Sequence, residues 1–162
     1  MIETQAKGKP ILMTTGIIFI IIGIGRVLLV IGGFFVALTA FMAIPSEMRD
    51  VLGSQQTTSK STIVEIIGRI IVVSGIVRSV IYLVAGTLGV KNKNKPKRAN
   101  ACIFMGIIVI LVDLLNILVM MIADTFFRIE QAHISWWSVI FTIALAILYL
   151  YGGALNHKSA KE

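Results

Sequence analysis

The sequence contains few of the residues that organise disulfide-bonded domains. Its 162 residues include one cysteine and three prolines, and charged residues make up only 14% of the chain. The single cysteine, Cys102, excludes an intrachain disulfide and any Cys-x-x-Cys redox or metal motif. The prolines fall at the edges of long apolar runs, where a helix tolerates them. These absences favour long helices over a small cross-linked fold.

Long apolar runs dominate the chain. Hydrophobic residues make up 57% of it and its mean hydropathy is +0.92, whereas a soluble domain is about 45–50% apolar. A membrane-spanning helix needs about 20 largely apolar residues, because the hydrocarbon core is about 30 Å thick. Four runs meet this requirement: 11–44, 62–90, 101–127 and 134–155. We therefore predict an all-α integral membrane protein, with residues 1–162 forming a single four-helix bundle.

The lysines and arginines outside these runs predict how the bundle is oriented. Nine of them lie in the N-terminal tail, the connection 91–100 and the C-terminal tail, and three lie in the other two connections. Basic connections stay on the cytoplasmic side of a membrane. We therefore predict that both termini and the connection 91–100 are cytoplasmic, and that the protein lies in the plasma (cytoplasmic) membrane.

Most of the formal charge of +7 follows from this topology and does not indicate nucleic-acid binding. A basic run beside a helix end usually contacts anionic lipid headgroups. We expect the bilayer and its anionic lipids as partners at the cytoplasmic face, and no nucleic acid. The residues expected to make this contact are Lys91, Lys93, Lys95, Lys97 and Arg98.

The first run is longer than a bilayer requires. Its 34 residues would extend about 51 Å as a helix at about 1.5 Å per residue, and tilt absorbs only part of the excess. We predict that the segment 34–44 protrudes on the extracytoplasmic side, or that the helix bends at Gly32 and Gly33. An apolar protrusion needs cover, either from the connection 45–61 or from another subunit.

Six ionisable residues fall inside the predicted spans, where each costs about 2.5–3.5 kcal/mol near a helix centre. Counted from the cytoplasmic helix ends, Arg78 and Asp113 lie about 18 Å deep and Arg26 about 22 Å deep. The matching depths predict a central charged layer with an Arg78–Asp113 ion pair. Three further residues, at about 31–38 Å, form an outer charged layer: Glu65, Arg69 and Asp124.

The third predicted helix places its polar residues on one face. At about 100° per residue, Cys102, Asp113, Asn116 and Asp124 fall within a stripe about 80° wide. A stripe of this kind faces protein or water, not lipid. Asn116 therefore joins the central charged layer as a candidate residue lining a pathway.

Signatures of catalysis are missing. The chain has no Walker loop, HExxH motif or nucleophile elbow, and no GxGxxG between a strand and a helix. His133 and His157 lie near helix ends on opposite sides of the predicted membrane, so they are too far apart to share a metal ion within one chain. Asp113 and Asp124 lie about 16 Å apart along one helix, too far for paired catalytic carboxylates. We expect no enzymatic activity, no cofactor and no metal ion.

Two classes of function remain open. The first is a small oligomeric channel or transporter-like subunit, in which Arg26, Arg78, Asp113 and Asn116 would line or gate a pathway. The second is a non-transporting tetraspan protein that scaffolds or regulates another membrane complex, with the charges acting as internal ties between helices. The buried charges and the two glycine-bearing faces of the first helix place the first class slightly ahead. The overlong first helix and the lack of a clear substrate site support the second. Both classes predict a partner within the membrane, either further copies of the chain or another membrane protein.

Overall fold

The computed structural model describes residues 7–43, 59–127 and 136–159, and the regular structure within them is helical. We number the helices in chain order: α1 is Lys9–Ala43, α2 is Ser59–Asn92, α3 is Ala99–Phe127 and α4 is Trp136–Ser159. A single 3₁₀ turn, Pro96–Arg98, precedes α3. Some side chains inside the helices, including those of Glu65 and Asp124, fall outside the described part.

All four helices are long and apolar enough to cross a membrane. The spanning stretches are Lys9–Val36, Val72–Asn92, Ala99–Ile122 and Trp136–Ser159. A helix suits hydrocarbon because its backbone donors and acceptors pair within the helix. The prediction of an all-helical membrane protein with four spanning helices is confirmed, whereas the orientation of the bundle and the single-domain division stay predictions.

The first two helices are the longest of the four. Helix α1 comprises 35 residues and runs continuously through Gly32 and Gly33, and α2 comprises 34 residues. Both exceed the roughly 20 residues that a bilayer requires. Protrusion of α1 on the extracytoplasmic side stays a prediction, and residues 44–58, which would cover it, lie outside the described part.

Three segments of the chain meet at one end of the bundle, which we call the basic end: the start of α1, the connection 93–98 and the end of α4. Asn156 of α4 joins them. Its side-chain oxygen accepts a hydrogen bond from the Gly8 amide at 2.8 Å, and its amide group donates to the Lys93 carbonyl at 3.1 Å. Asn156 is fully buried, so these bonds are sheltered from competing donors and acceptors.

Each helix packs antiparallel on two neighbours, in the order α1, α2, α3, α4 and back to α1. Glycines allow the closest approaches. A Cβ on Gly86 of α2 would lie 2.5 Å from the carbonyl oxygen of Gly16 on α1, and a Cβ on Gly106 of α3 would lie 2.7 Å from the Leu150 side chain of α4. Small residues at these positions bring the helix backbones together, as membrane helix pairs prefer.

The core occupies the half of the bundle next to the basic end, which we call the basic half. Phe19, Tyr82, Val109 and Tyr149 each lie ten residues from the basic end of their helix, and each is at most 1% exposed. The Phe19 ring lies 5.3 Å from the Tyr82 ring and 5.4 Å from the Tyr149 ring, within the range of favourable aromatic pairs. Side chains from all four helices therefore fill the bundle axis about 15 Å from the basic end.

The opposite half of the bundle, which we call the far half, has little packing between its described residues. In α1 all six residues of the segment 31–36 are exposed, a stretch longer than one helical turn. None of the described side chains of α2 before Ser79, or of α3 after Asp113, is buried. A helix in a packed bundle buries one face, so the described parts of α1, α2 and α3 pack less closely in the far half than in the basic half.

Glycines in the two halves predict opposite responses to substitution. Gly86→Ala should destabilise the folded protein by about 1–3 kcal/mol, because the new methyl group would meet the α1 backbone. Gly25→Ala should be neutral or slightly stabilising, since a Cβ there meets nothing within 4 Å and alanine is the better helix former. Thermal unfolding of both purified variants in the same detergent makes the comparison. Equal melting temperatures would contradict close packing of α1 on α2.

Candidate functional site

A buried ion pair joins α2 and α3 at the boundary between the two halves. The Nε atom of Arg78 lies 2.6 Å from Oδ1 of Asp113, and the two side chains are 13% and 2% exposed. Both residues lie fourteen positions from the basic end of their helices, or about 21 Å along them. Equal depth on adjacent helices brings the two charges together, and the predicted pairing of Arg78 with Asp113 is confirmed.

Tyr82 completes the surroundings of this carboxylate. Its hydroxyl group donates to Asp113 and lies 2.8 Å from Oδ1 and 2.7 Å from Oδ2. Tyr82 lies four residues after Arg78, and residues four apart share one face of a helix. Both oxygens of Asp113 therefore have a donor, which a carboxylate removed from water requires.

Arg26 reaches the same cluster from α1. Its guanidinium carbon lies 4.8 Å from the centre of the Tyr82 ring, and that of Arg78 lies 5.9 Å from the same ring. Side chains on a helix tilt towards its N-terminus, and the N-terminus of α1 is at the basic end. Arg26 therefore extends towards Tyr82 and makes a cation–π contact with its ring. We call Arg26, Arg78, Tyr82 and Asp113 the central cluster.

The central cluster carries more positive than negative charge. It holds two guanidinium groups, and Asp113 is the only carboxylate among the side chains that the structure describes. Asp113 is already engaged by Arg78 and Tyr82, whereas Arg26 has the Tyr82 side chain as its described partner. An uncompensated charge is costly in surroundings of low dielectric constant. The cluster therefore holds one more positive charge than its described carboxylate neutralises.

A surface groove of about 490 Å³ lies between α2 and α3 in the far half. Its walls are mostly apolar and exposed, as at Ile70 (48%) and Leu115 (60%). Its polar lining residues are Arg69, Ser74 and Asn116. The Ser74 hydroxyl lies 3.5 Å from the side-chain oxygen of Asn116, at the limit of a hydrogen bond. The structure thus places Asn116 in this groove, whereas Arg26, Arg78 and Asp113 come together in the central cluster.

The outer charged layer is described only in part. Arg69 is exposed and lines the groove. The side chains of Glu65 and Asp124, predicted to share this layer, lie outside the described part. The outer layer therefore stays a prediction.

The connection between α2 and α3 presents positive charge at the basic end. Its Lys93 is half-buried, with Nζ 3.3 Å from the Sδ atom of Met13. An exposed row of cations beside a helix end suits anionic headgroups, and contact with anionic lipid stays a prediction. The exposed members of the row are Lys91, Lys95, Lys97 and Arg98.

The sequence did not lead us to place Tyr82 or Ser74 at the site. A buried tyrosine hydroxyl needs a hydrogen-bond partner, and Tyr82 lies one turn from Arg78 on the same helix. That spacing links Tyr82 to Asp113 once the ion pair is assumed. Ser74 lies four residues before Arg78, so it also shares a face of α2 with Arg78.

No protein-family model, no curated protein and no solved structure matches this chain. Its four spanning helices and buried Arg78–Asp113 ion pair define its class, a small all-helical integral membrane protein. Within residues 7–43, 59–127 and 136–159, no three His, Cys, Asp or Glu side chains are placed to hold a metal ion. The described chemistry is electrostatic: the central cluster joins α1, α2 and α3 through an ion pair, hydrogen bonds and a cation–π contact.

The geometry predicts that removing one charge costs more than removing both. Asp113→Leu should lower the free energy of unfolding by about 3–5 kcal/mol, because it leaves Arg78 buried without a counter-ion. The double variant Arg78→Met/Asp113→Leu should recover most of this loss, since apolar side chains of similar size then replace both charges.

Chemical unfolding of the wild type, both single variants and the double variant closes a thermodynamic cycle for this pair. The same cycle for Arg78 and Asn116, which make no described contact, serves as the control. Strictly additive losses for Arg78 and Asp113 would show that the ion pair is not energetically coupled.

Proposed function

We propose that this chain is a non-enzymatic subunit that scaffolds or regulates another protein of the same membrane. The observation behind the proposal is the contrast between a filled basic half and an open far half. A protein built in this way has one part that holds its own helices together and another that offers helix surface to a partner. The proposal places it in the plasma (cytoplasmic) membrane, with both termini in the cytoplasm and the basic connection on anionic lipid.

The packing of the basic half supports a non-transporting role. Leu12, Phe19 and Tyr149 are fully buried, and they lie where a solute would have to pass along the bundle axis. The Tyr149 hydroxyl donates to the Ala85 carbonyl at 2.6 Å, which links α4 to α2 across the bundle. Asp113, with donors on both oxygens, has the surroundings of a structural tie between helices.

The surface of the far half supports a partner. A Cβ at Gly25, Gly32 or Gly33 of α1 would meet nothing within 4 Å, and Phe34 and Phe35 are 66% and 59% exposed. In a membrane, helices associate through close packing, and small residues allow that approach. A second protein would give this stretch of α1 the packing that its described neighbours do not provide.

A small oligomeric channel or transporter-like subunit is the second candidate, and the central cluster favours it. Arg26, Arg78 and Asp113 lie in the middle of the membrane, where charged side chains often line ion or substrate pathways. Because the bundle axis is filled in the basic half, such a pathway would run between copies of the chain. Asn116, in the groove between α2 and α3, would then face it.

Reconstitution separates the two candidates. We expect liposomes that contain the purified chain to show no more flux of H⁺, Na⁺, K⁺ or Cl⁻ than protein-free liposomes, because the described axis is filled. Ile107→Ala, on the exposed surface of the basic half, serves as the matched protein control. Flux through the wild type that Asp113→Asn abolishes and Ile107→Ala preserves would overturn the proposal and establish the second candidate.

A second arm tests the partner directly. When the chain is extracted in native lipid nanodiscs, it should co-purify with one other membrane protein at a fixed mass ratio. Gly32→Trp, which places a large ring on the open surface of α1, should abolish this ratio, whereas Ile107→Trp, on the exposed surface of the basic half, should preserve it. A chain that extracts alone, or as copies of itself, would contradict the scaffold proposal.

A further inference from the structure

The open space of the far half reaches the central cluster. Gly33 lies seven residues after Arg26, two turns outward on the same face of α1, and Gly75 lies seven residues before Tyr82 on the same face of α2. A Cβ at either glycine would meet nothing within 4 Å. The faces of α1 and α2 that carry Arg26 and Tyr82 are therefore open at Gly33 and at Gly75.

The charge of the central cluster determines which group fits this space. Two guanidinium groups face one carboxylate, and Asp113 is committed to Arg78 and Tyr82. The Arg26 guanidinium has five N–H donors, more than one tyrosine side chain satisfies. A carboxylate pairs with a guanidinium through two parallel charge-assisted hydrogen bonds. The position next to Arg26 therefore suits a carboxylate.

We propose that the far half receives a transmembrane helix of another protein, and that a carboxylate at the middle of that helix pairs with Arg26. This inference rests on the proposed function and adds the chemistry of the partner. The partner helix is apolar, because the described residues of the far half are largely exposed apolar side chains. It carries one aspartate or glutamate at the depth of the Tyr82 ring.

An anionic lipid does not reach this position. The Arg26 guanidinium lies over the Tyr82 ring. The Tyr82 backbone is ten residues from the end of α2, or about 15 Å from the basic end, and its side chain extends further outward to Asp113. That depth is the middle of a hydrocarbon core about 30 Å thick, and lipid phosphates lie outside the core. Acyl chains fill an apolar space but carry no charge, so lipid alone leaves Arg26 without a counter-ion.

A second copy of the chain does not supply the carboxylate either. Its Asp113 is 1% exposed and committed within its own bundle. Glu65 and Asp124 lie 27 and 25 residues from the basic ends of α2 and α3, about 38–40 Å along the helices and far outward of the Arg26 guanidinium. Two copies that met at this surface would also bring two Arg26 side chains together, and like charges repel.

A helix from another chain brings a carboxylate to this depth with its backbone donors and acceptors already paired within the helix.

A synthetic transmembrane peptide is the probe for this site. It is a leucine–alanine helix with a single central aspartate, compared with otherwise identical peptides that carry asparagine or leucine there. Fluorescent peptide and labelled full-length protein are incorporated into phosphatidylcholine vesicles, and energy transfer between them gives the association constant. We expect the aspartate peptide to bind the wild type about tenfold more tightly than the asparagine peptide.

Variants of the protein test whether Arg26 causes the preference for the aspartate peptide over the asparagine peptide. Arg26→Met should abolish the difference between the aspartate and asparagine peptides, and Arg26→Lys should keep part of it, since lysine offers the charge without the paired donors. Arg98→Gln, which removes a cation from the exposed connection, should keep the full difference. Gly33→Leu, which fills the face two turns outward of Arg26, should weaken the binding of all three peptides. Melting temperatures confirm that each variant is folded, and Arg26→Lys and Gly33→Leu maintain the test if Arg26→Met does not fold.

Equal binding of the aspartate and asparagine peptides to the wild type would overturn the proposal, as would an unchanged difference in Arg26→Met. A further result would also overturn the proposal: acetate raises the melting temperature of the wild type but not of Arg26→Met, and the wild type binds the three peptides equally. The site would then bind a soluble anion and not a transmembrane helix. If Arg26→Met still formed its native complex with another membrane protein, the proposed function would stand and this inference alone would be rejected.

Discussion

A carboxylate in the middle of a membrane is the constraint on which the rest of this structure depends. Lipid does not neutralise Asp113, so donors within the bundle must do so. Arg78 and Tyr82 supply them from α2, and Arg26 contacts Tyr82 from α1. Because these side chains must meet at one depth, the central cluster fixes how α1, α2 and α3 are aligned along the membrane normal. The pairing also leaves one cation in excess of the described carboxylate.

The central cluster marks the boundary between two kinds of packing. Helices in lipid gain little from the hydrophobic effect, and they associate through close contacts and polar bonds. The basic half has both, in the approach of Gly86 to Gly16 and in the hydrogen bonds of Asn156. The described far half has open glycines and exposed apolar side chains instead. One half therefore has internal packing that holds its helices, and the other has surface available to another helix.

Much of this architecture could be predicted from regular helix geometry. Hydropathy was sufficient for the four helices, and counting depth was sufficient for the Arg78–Asp113 pair, because both depend on a constant rise per residue. The position of Asn116 depends instead on how α3 is rotated against α2, and here it turns towards Ser74 and the groove. The difference in packing between the two halves could not be predicted, because hydropathy indicates whether a side chain tolerates hydrocarbon and not which residues contact it. Gly16 and Gly32 are both glycines of the same apolar run, yet a Cβ at Gly16 would meet the α2 backbone whereas one at Gly32 would meet nothing within 4 Å.

The central claim is that the basic half is packed and the far half is open in the absence of a partner. Pulsed electron–electron double resonance measures the distance between two spin-labelled cysteines and tests this claim most directly. The cysteine pairs are introduced in a Cys102→Ala background, and the protein is placed in lipid nanodiscs. One pair joins α1 to α3 in the basic half (Ile17 and Phe104) and the other joins them in the far half (Leu29 and Leu115), all at exposed positions. The account predicts a narrow distance distribution for the first pair and a distinctly broader one for the second. Equally narrow distributions for both pairs would contradict it.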